Sequence, residues 1–130
     1  MVGIVVLGHG RVAPALLDTS EMIVGPQEQL TAVPFDADVD LDVYRESVLQ
    51  AALRVNSGEG VIFLADLKGG TPCNTAVMIG YEKNYRVVSG VNVPMLVALA
   101  LSRQGMDMDA LTEIAKASGI EGVEDVRIEV

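Results

Sequence analysis

His9 is the one histidine of the chain, and it lies between glycines at the end of Ile4-Val5-Val6-Leu7-Gly8-His9-Gly10. The four apolar residues predict a buried strand, and a helical pattern begins at Arg11. A side chain at such a strand-to-helix turn, unshielded by flanking Cβ atoms, points at the rim of a sheet. Imidazole gains and loses charge near neutral pH and also serves as a nucleophile. The same residue could instead cap the helix or pack in the turn, so its neighbours must decide.

Two other predicted strand ends carry polar residues. Asp66-Leu67-Lys68-Gly69-Gly70-Thr71-Pro72 follows the apolar run Gly60–Ala65. Asp66 ends that strand, and Gly69 and Gly70 allow a tight turn and the close approach of an anion. Thr71 is placed as the N-cap and Pro72 as the first residue of the next helix. A helix start presents free backbone N–H groups and the positive end of a dipole, which together bind anions. The spacing G-x-x-x-x-G-K-[ST] of a Walker A loop is missing. A plain capped turn uses the same residues. The third site is Gly90-Val91-Asn92-Val93-Pro94-Met95-Leu96. There Asn92 either caps the helix that Pro94 starts or stands with Gly90 on the rim of the same crevice.

The elements that must position these residues alternate along the chain. Strands are predicted at Gly3–Leu7, Leu30–Phe35, Gly60–Ala65 and Tyr85–Ser89. Helices are predicted at Arg11–Val24, Asp40–Val55, Thr71–Tyr81, Pro94–Ser102 and Asp109–Ser118, with Gly119 stopping the last. Val126–Val130 alternates apolar and polar residues like an edge strand. This order predicts an α/β fold, a doubly wound, mainly parallel sheet. Ligands of such sheets sit beyond the carboxyl ends of the strands, where strand order reverses.

Composition sets outer bounds. The 130 residues, half of them hydrophobic, predict one domain over 1–130 with an aliphatic core. A net charge of -9 argues against nucleic-acid binding, which needs clustered Lys and Arg. The N-terminus has no basic n-region and no cleavage site, so no signal peptide is predicted. The single cysteine, Cys73, rules out an internal disulfide. These features point to a soluble cytoplasmic protein.

If the strand order is 2-1-3-4, the first and third strands are neighbours, and His9 and Asp66 face each other across the crevice. The carboxylate can accept from one ring nitrogen, fix the tautomer and leave the other nitrogen as nucleophile. Gly69, Gly70 and Thr71 then lie beside it. A nucleophilic histidine next to an anion site, with no metal or cofactor called for, suggests a protein that carries a phosphoryl group. A rival pattern overlaps it. Gly8-His9-Gly10-Arg11-Val12-Ala13 matches G-x-G-x-x-[GA], and Asp36 and Asp38 stand where a ribose-binding acid would follow. Against a dinucleotide site, 130 residues leave no room for a substrate domain.

Three segments in order carry a family resemblance: Val6-Leu7-Gly8-His9-Gly10, Leu64 to Asn74 around Asp66-Leu67-Lys68-Gly69-Gly70-Thr71-Pro72-Cys73, and Ser89 to Leu96. Together they resemble the IIA components of the mannose family of the bacterial phosphoenolpyruvate-dependent sugar phosphotransferase system. The resemblance implies that His9 takes a phosphoryl group from the histidine carrier HPr and passes it to a IIB component. IIB in turn serves sugar entry through the membrane subunits IIC and IID. It matches Asp66 to the family's histidine-partnering aspartate and Thr71 to a residue that is usually serine. It also implies the order 2-1-3-4-5, with an antiparallel fifth strand exchanged in some homodimers. Lys68 departs from a bulky apolar residue and Cys73 from phenylalanine. With no IIB sequence before Val130, a free-standing IIA is expected. IIA-like domains in transcriptional activators and in a dihydroxyacetone-kinase phosphotransfer subunit offer a regulatory alternative. The sugar is left open.

Overall fold

The predicted strands are apolar on both faces, so each must be covered by helices above and below. The computed structural model, which describes residues 1–129, has that arrangement. Its elements are β1 (Gly3–His9), α1 (Val12–Val24), β2 (Leu30–Phe35), α2 (Leu41–Val55), β3 (Val61–Ala65), α3 (Thr71–Lys83), β4 (Arg86–Ser89), α4 (Val93–Ser102) and α5 (Met108–Glu121). Four strands form one parallel sheet in the order β2-β1-β3-β4. Successive side chains of a strand point to opposite faces. Ile4 and Val6 of β1, with Ile62 and Leu64 of β3, therefore pack under Ala13, Leu96, Leu99, Leu111 and Ala115 of α1, α4 and α5. Val5, Leu7, Val61 and Phe63 pack under Tyr44, Val48, Ala76 and Ile79 of α2 and α3.

The chain leaves β1 toward β2 on one side and returns to β3 on the other. The order thus reverses between β1 and β3, and the crevice opens at their carboxyl ends. Register fixes what stands there. Leu7 pairs with Ala65 and His9 with Phe35, so His9 and the residue after Ala65 reach the same rim.

Two expectations at the C-terminal end are corrected. Gly119 does not stop the last helix, which continues to Glu121. Its missing side chain lets α5 lie against α4, since a Cβ there would stand 2.8 Å from Met95 Cε. The sheet also has four strands, not five, among the described residues. Residues 123–129 form no strand, and Val126 and Ile128 are 85% and 92% exposed. An alternating pattern becomes a strand only when an edge accepts it, and this segment does not pair with its own sheet. Val130 lies outside the described residues.

At the opposite end of the sheet Arg103 is buried. Its guanidinium donates to the carbonyls of Glu28 at 2.7 Å, Val2 at 2.8 Å and Gln29 at 2.8 Å. It ties the end of α4 to the starts of β1 and β2.

Candidate functional site

His9 ends β1 at a turn that Gly10 makes possible. Gly10 has φ +55, a left-handed conformation that glycine adopts without penalty. Its amide donates to the Phe35 carbonyl at 2.7 Å, and the Phe35 amide returns a bond to Gly10 at 3.1 Å. This bridge anchors the loop just beyond His9. The Phe35 ring meets the imidazole edge-on, with centroids 5.8 Å apart. From the other side, Asp66 leaves β3 with its amide on the Leu7 carbonyl at 3.1 Å. Oδ2 of Asp66 accepts twice, from the His9 amide at 3.0 Å and from ring Nδ1 at 2.9 Å. The room left by the absent side chain of Gly8 is filled by Val12 and the Asp66 carboxylate, not by open space for a pyrophosphate.

This geometry sets protonation. Burial pushes the Asp66 carboxyl upward, but the amide and ring bonds of His9, the attraction of its charge and the Leu67 amide together outweigh it. The carboxyl is held below its ordinary 3.8. An ionised carboxylate only accepts, so in the neutral ring Nδ1 carries the proton and Nε2 keeps its lone pair. The His9 side chain is 48% exposed and that of Asp66 20%.

The free nitrogen faces the start of α3. A Cβ on Gly70 would stand 2.6 Å from His9 Cε1 and 3.2 Å from Nε2. Gly70, not Thr71, is the N-cap, and Thr71 and Pro72 occupy the first turn. The N-cap expected at Thr71 is thus displaced by one residue, because only a residue without a side chain fits against the imidazole. Gly69 has φ +86, and its carbonyl accepts from Asn74 Nδ2 at 3.2 Å, which holds the loop. The Gly70 amide bonds Leu67 and the Asn74 amide bonds Gly70. Pro72 has no N–H. The amides of Thr71 and Cys73 therefore remain as the helix-start donors beside Nε2. Lys68 and Arg11 are exposed, and Cys73 is buried in the first turn of α3.

His9, Asp66, Gly69, Gly70 and Thr71 are thus brought to one rim, and Asn92 is not. Asn92 caps α4 by accepting from the Met95 amide at 3.0 Å, and its Nδ2 donates to the Gly119 carbonyl at 3.0 Å. Sequence reasoning missed Phe35 and Tyr44. Tyr44 packs on Phe35 with centroids 4.7 Å apart. Only the register between β1 and β2 brings Phe35 to the imidazole, and no local pattern encodes that register. The site is an open rim. A hollow of about 240 Å³ between α2 and α3 shares only Thr71 with it. The imidazole is thus reached from solvent and not through an enclosed pocket.

Comparison with known proteins agrees along nearly the whole chain. Residues 3–116 match the family described as the PTS system fructose IIA component. The chain is 34% identical over 128 residues to the mannose-specific EIIAB component of Escherichia coli K12, covering 97% of this chain and 40% of that protein. It therefore spans less than half the length of that relative. It is 32% identical to the fructose-specific EIIA component of Bacillus subtilis strain 168, covering 90% of this chain and 81% of the other. A solved mannose/sorbose specific IIA subunit from Enterococcus faecalis superposes with a TM-score of 0.89 at 28% identity, covering 99% and 97% of the two chains.

Proposed function

Starting from a chain that belongs to the IIA components of the sugar phosphotransferase system, we propose that Nε2 of His9 is its phosphoryl acceptor. The donor is the phosphohistidine of HPr, and the recipient is a IIB component serving membrane subunits IIC and IID. The observation that carries this reading is the pair of contacts on one imidazole. Nδ1 is held by Asp66 at 2.9 Å, and Nε2 faces the first turn of α3 across Gly70.

The step follows from these contacts. The Nε2 lone pair attacks phosphorus, the P–N bond of the donor forms the leaving electron pair, and a new P–N bond forms on His9. Nδ1 keeps its proton, so the ring becomes cationic, and the Asp66 carboxylate stabilises that charge. The amides of Thr71 and Cys73, the Thr71 hydroxyl and the positive end of α3 receive the phosphoryl oxygens. Gly69 and Gly70 keep side chains out of the space. Residues 1–130 act as one IIA domain in the cytoplasm, where the donor and recipient are. No described helix is long and apolar enough to cross a membrane.

The test is reconstitution. With phosphoenolpyruvate, enzyme I and HPr, the protein acquires an acid-labile label on His9 and passes it to a IIB domain. Labelling that persists in His9→Gln, or that needs only ATP, refutes the reading. A IIA-like regulatory domain would instead be labelled and pass nothing to IIB. The exposed alternation of Val126 and Ile128 with Arg127 and Glu129 fits a strand given to the β4 edge of a second copy, a low-cost route to a homodimer. Light scattering on the full chain and on a version ending at Gly122 tests this. A full-length monomer at tens of micromolar, roughly the range where a useful dimer persists, refutes it.

A further inference from the structure

Two polar atoms behind His9 are buried and lack a hydrogen bond. They are the hydroxyl of Tyr44, on α2, and Oδ1 of Asp66, whose carboxylate the Leu67 amide approaches without completing a bond to Oδ1. Tyr44 is 2% exposed. A buried polar atom without a partner carries its full desolvation cost, and native structures rarely leave one unpaired. Here one atom is a donor and the other a charged acceptor. The negative field of Asp66 also reaches the phenol: burial first and this charge second push the Tyr44 hydroxyl above its ordinary value. The ring itself is fixed, edge-on to Phe35, which in turn meets the imidazole. Oδ2 of the same carboxylate is already committed to His9. Whatever occupies Oδ1 therefore sets the plane of the carboxylate, and with it the direction of the bond to Nδ1.

We propose that Tyr44 is a positioning residue for His9: its hydroxyl donates to Oδ1 of Asp66, directly after a small shift or through one bridging water. A single water suffices for the second route, because such a site offers it a donor and an acceptor. Tyr44 then holds Asp66 ionised and in plane, and Asp66 holds the imidazole. The rate consequence rests on the reading of His9 as phosphoryl acceptor. The link between Tyr44 and Asp66 does not.

Tyr44→Phe removes the hydroxyl and keeps the ring. Three readouts in the full chain are expected to move together. The titration midpoint of the Asp66 carboxyl, followed by ¹³C NMR, rises by about one unit, since a bond to the charged form is lost. The ¹⁵N shifts of the His9 ring show a smaller Nδ1–H population. Phosphorylation by phospho-HPr slows about tenfold, the effect of one charge-assisted bond. If the hydroxyl has no such role, Tyr44→Phe removes a buried polar burden. Tm then rises or stays, and the Asp66 midpoint and ring shifts do not move. That result overturns the proposal. Combining Tyr44→Phe with Asp66→Asn guards against a packing artefact. Coupling predicts that the second change adds little to the first, whereas independent effects add and refute the link. If the wild-type chain takes no phosphoryl group, the proposed function fails, while the two NMR readouts still decide the role of Tyr44.

Discussion

Asp66→Asn separates the charge of Asp66 from its geometry. Oδ2 accepts both the His9 amide, at 3.0 Å, and ring Nδ1, at 2.9 Å. The amide is a fixed donor. An asparagine that turned its NH₂ toward it would oppose two donors, so the variant must present its carbonyl oxygen there. The ring then keeps its proton on Nδ1. A reversed tautomer would cost on the order of 10,000-fold, the scale seen when the same change misplaces the imidazole proton of a serine-protease triad. What Asp66→Asn loses is the charge beside a ring made cationic by phosphorylation. At roughly 4 Å that charge is worth about 1 kcal/mol in bulk water and about 4 kcal/mol at an effective dielectric constant of 20. The His9 side chain is 48% exposed, so solvent screening puts the value at the low end. The expected loss is about 1–2 kcal/mol, or roughly 5- to 30-fold in phosphorylation rate. Rapid-quench transfer from phospho-HPr, with circular dichroism as the folding control, measures it. An unchanged rate in a folded variant would remove Asp66 from the reaction. A loss of about 1,000-fold or more would approach the tautomer-reversal scale and show that the His9 amide does not orient the asparagine.

Other outcomes follow from the same contacts. Gly70→Ala is compatible with the backbone, whose φ is -76, but its Cβ would stand 2.6 Å from His9 Cε1. The variant is expected to fold with an unchanged far-ultraviolet spectrum and to lose most phosphorylation; normal labelling would mean that His9 yields freely. Thr71→Ala keeps the helix-start amides and removes one hydroxyl. It should cost about 0.5–1.5 kcal/mol, roughly two- to tenfold in phosphoryl occupancy at equilibrium with HPr, and complete loss would assign Thr71 a direct chemical step. The Asp66 carboxyl titrates lower in the fold than its ordinary 3.8. Its contribution to stability is therefore present above that value and lost as pH falls through the folded value. Acid melts below about pH 4 should be less steep in Asp66→Asn than in the wild type; equal slopes would contradict the depressed value.

Features that depend on neighbours in sequence were legible, and features that depend on register were not. Apolar runs and glycine-bounded turns placed the strands within one or two residues of their observed limits, because strand and helix periods are local properties. The meeting of His9 with Asp66 was legible only conditionally, through a strand order that a doubly wound sheet permits. Tyr44 offered no signal as a site residue. It occupies an apolar position of the α2 pattern, and only three-dimensional packing brings its ring against Phe35 and its hydroxyl within the field of Asp66. Gly119 misled for the opposite reason. A glycine near a helix end usually terminates it, yet here the missing Cβ serves the approach of Met95. Arg103 at the end of α4 reads as a solvent-facing charge, although it closes the far end of the sheet on three main-chain carbonyls.

The weakness of the phosphate site has a physical logic on the proposed reading. A carrier that accepts from one protein and donates to another must hold its cargo in neither direction too firmly, since every stabilisation of the phosphorylated state raises the barrier to giving it up. The rim matches that demand. It offers two amides without an intrahelical acceptor, one hydroxyl and a helix end worth about 0.3–1 kcal/mol to an exposed anion. Arg11 and Lys68 are exposed on the flanking loops and form no ion pair among the described residues. The stronger element, the Asp66 carboxylate, acts on the ring and not on the phosphate. It stabilises the cation formed by phosphorylation and simultaneously repels the phosphoryl dianion, so its two effects oppose each other. Exposure of half the imidazole then lets a second protein supply the missing charge at the moment of transfer. On this account a lysine introduced against Nε2 would retain the label and slow its passage to IIB, while leaving its arrival from HPr intact.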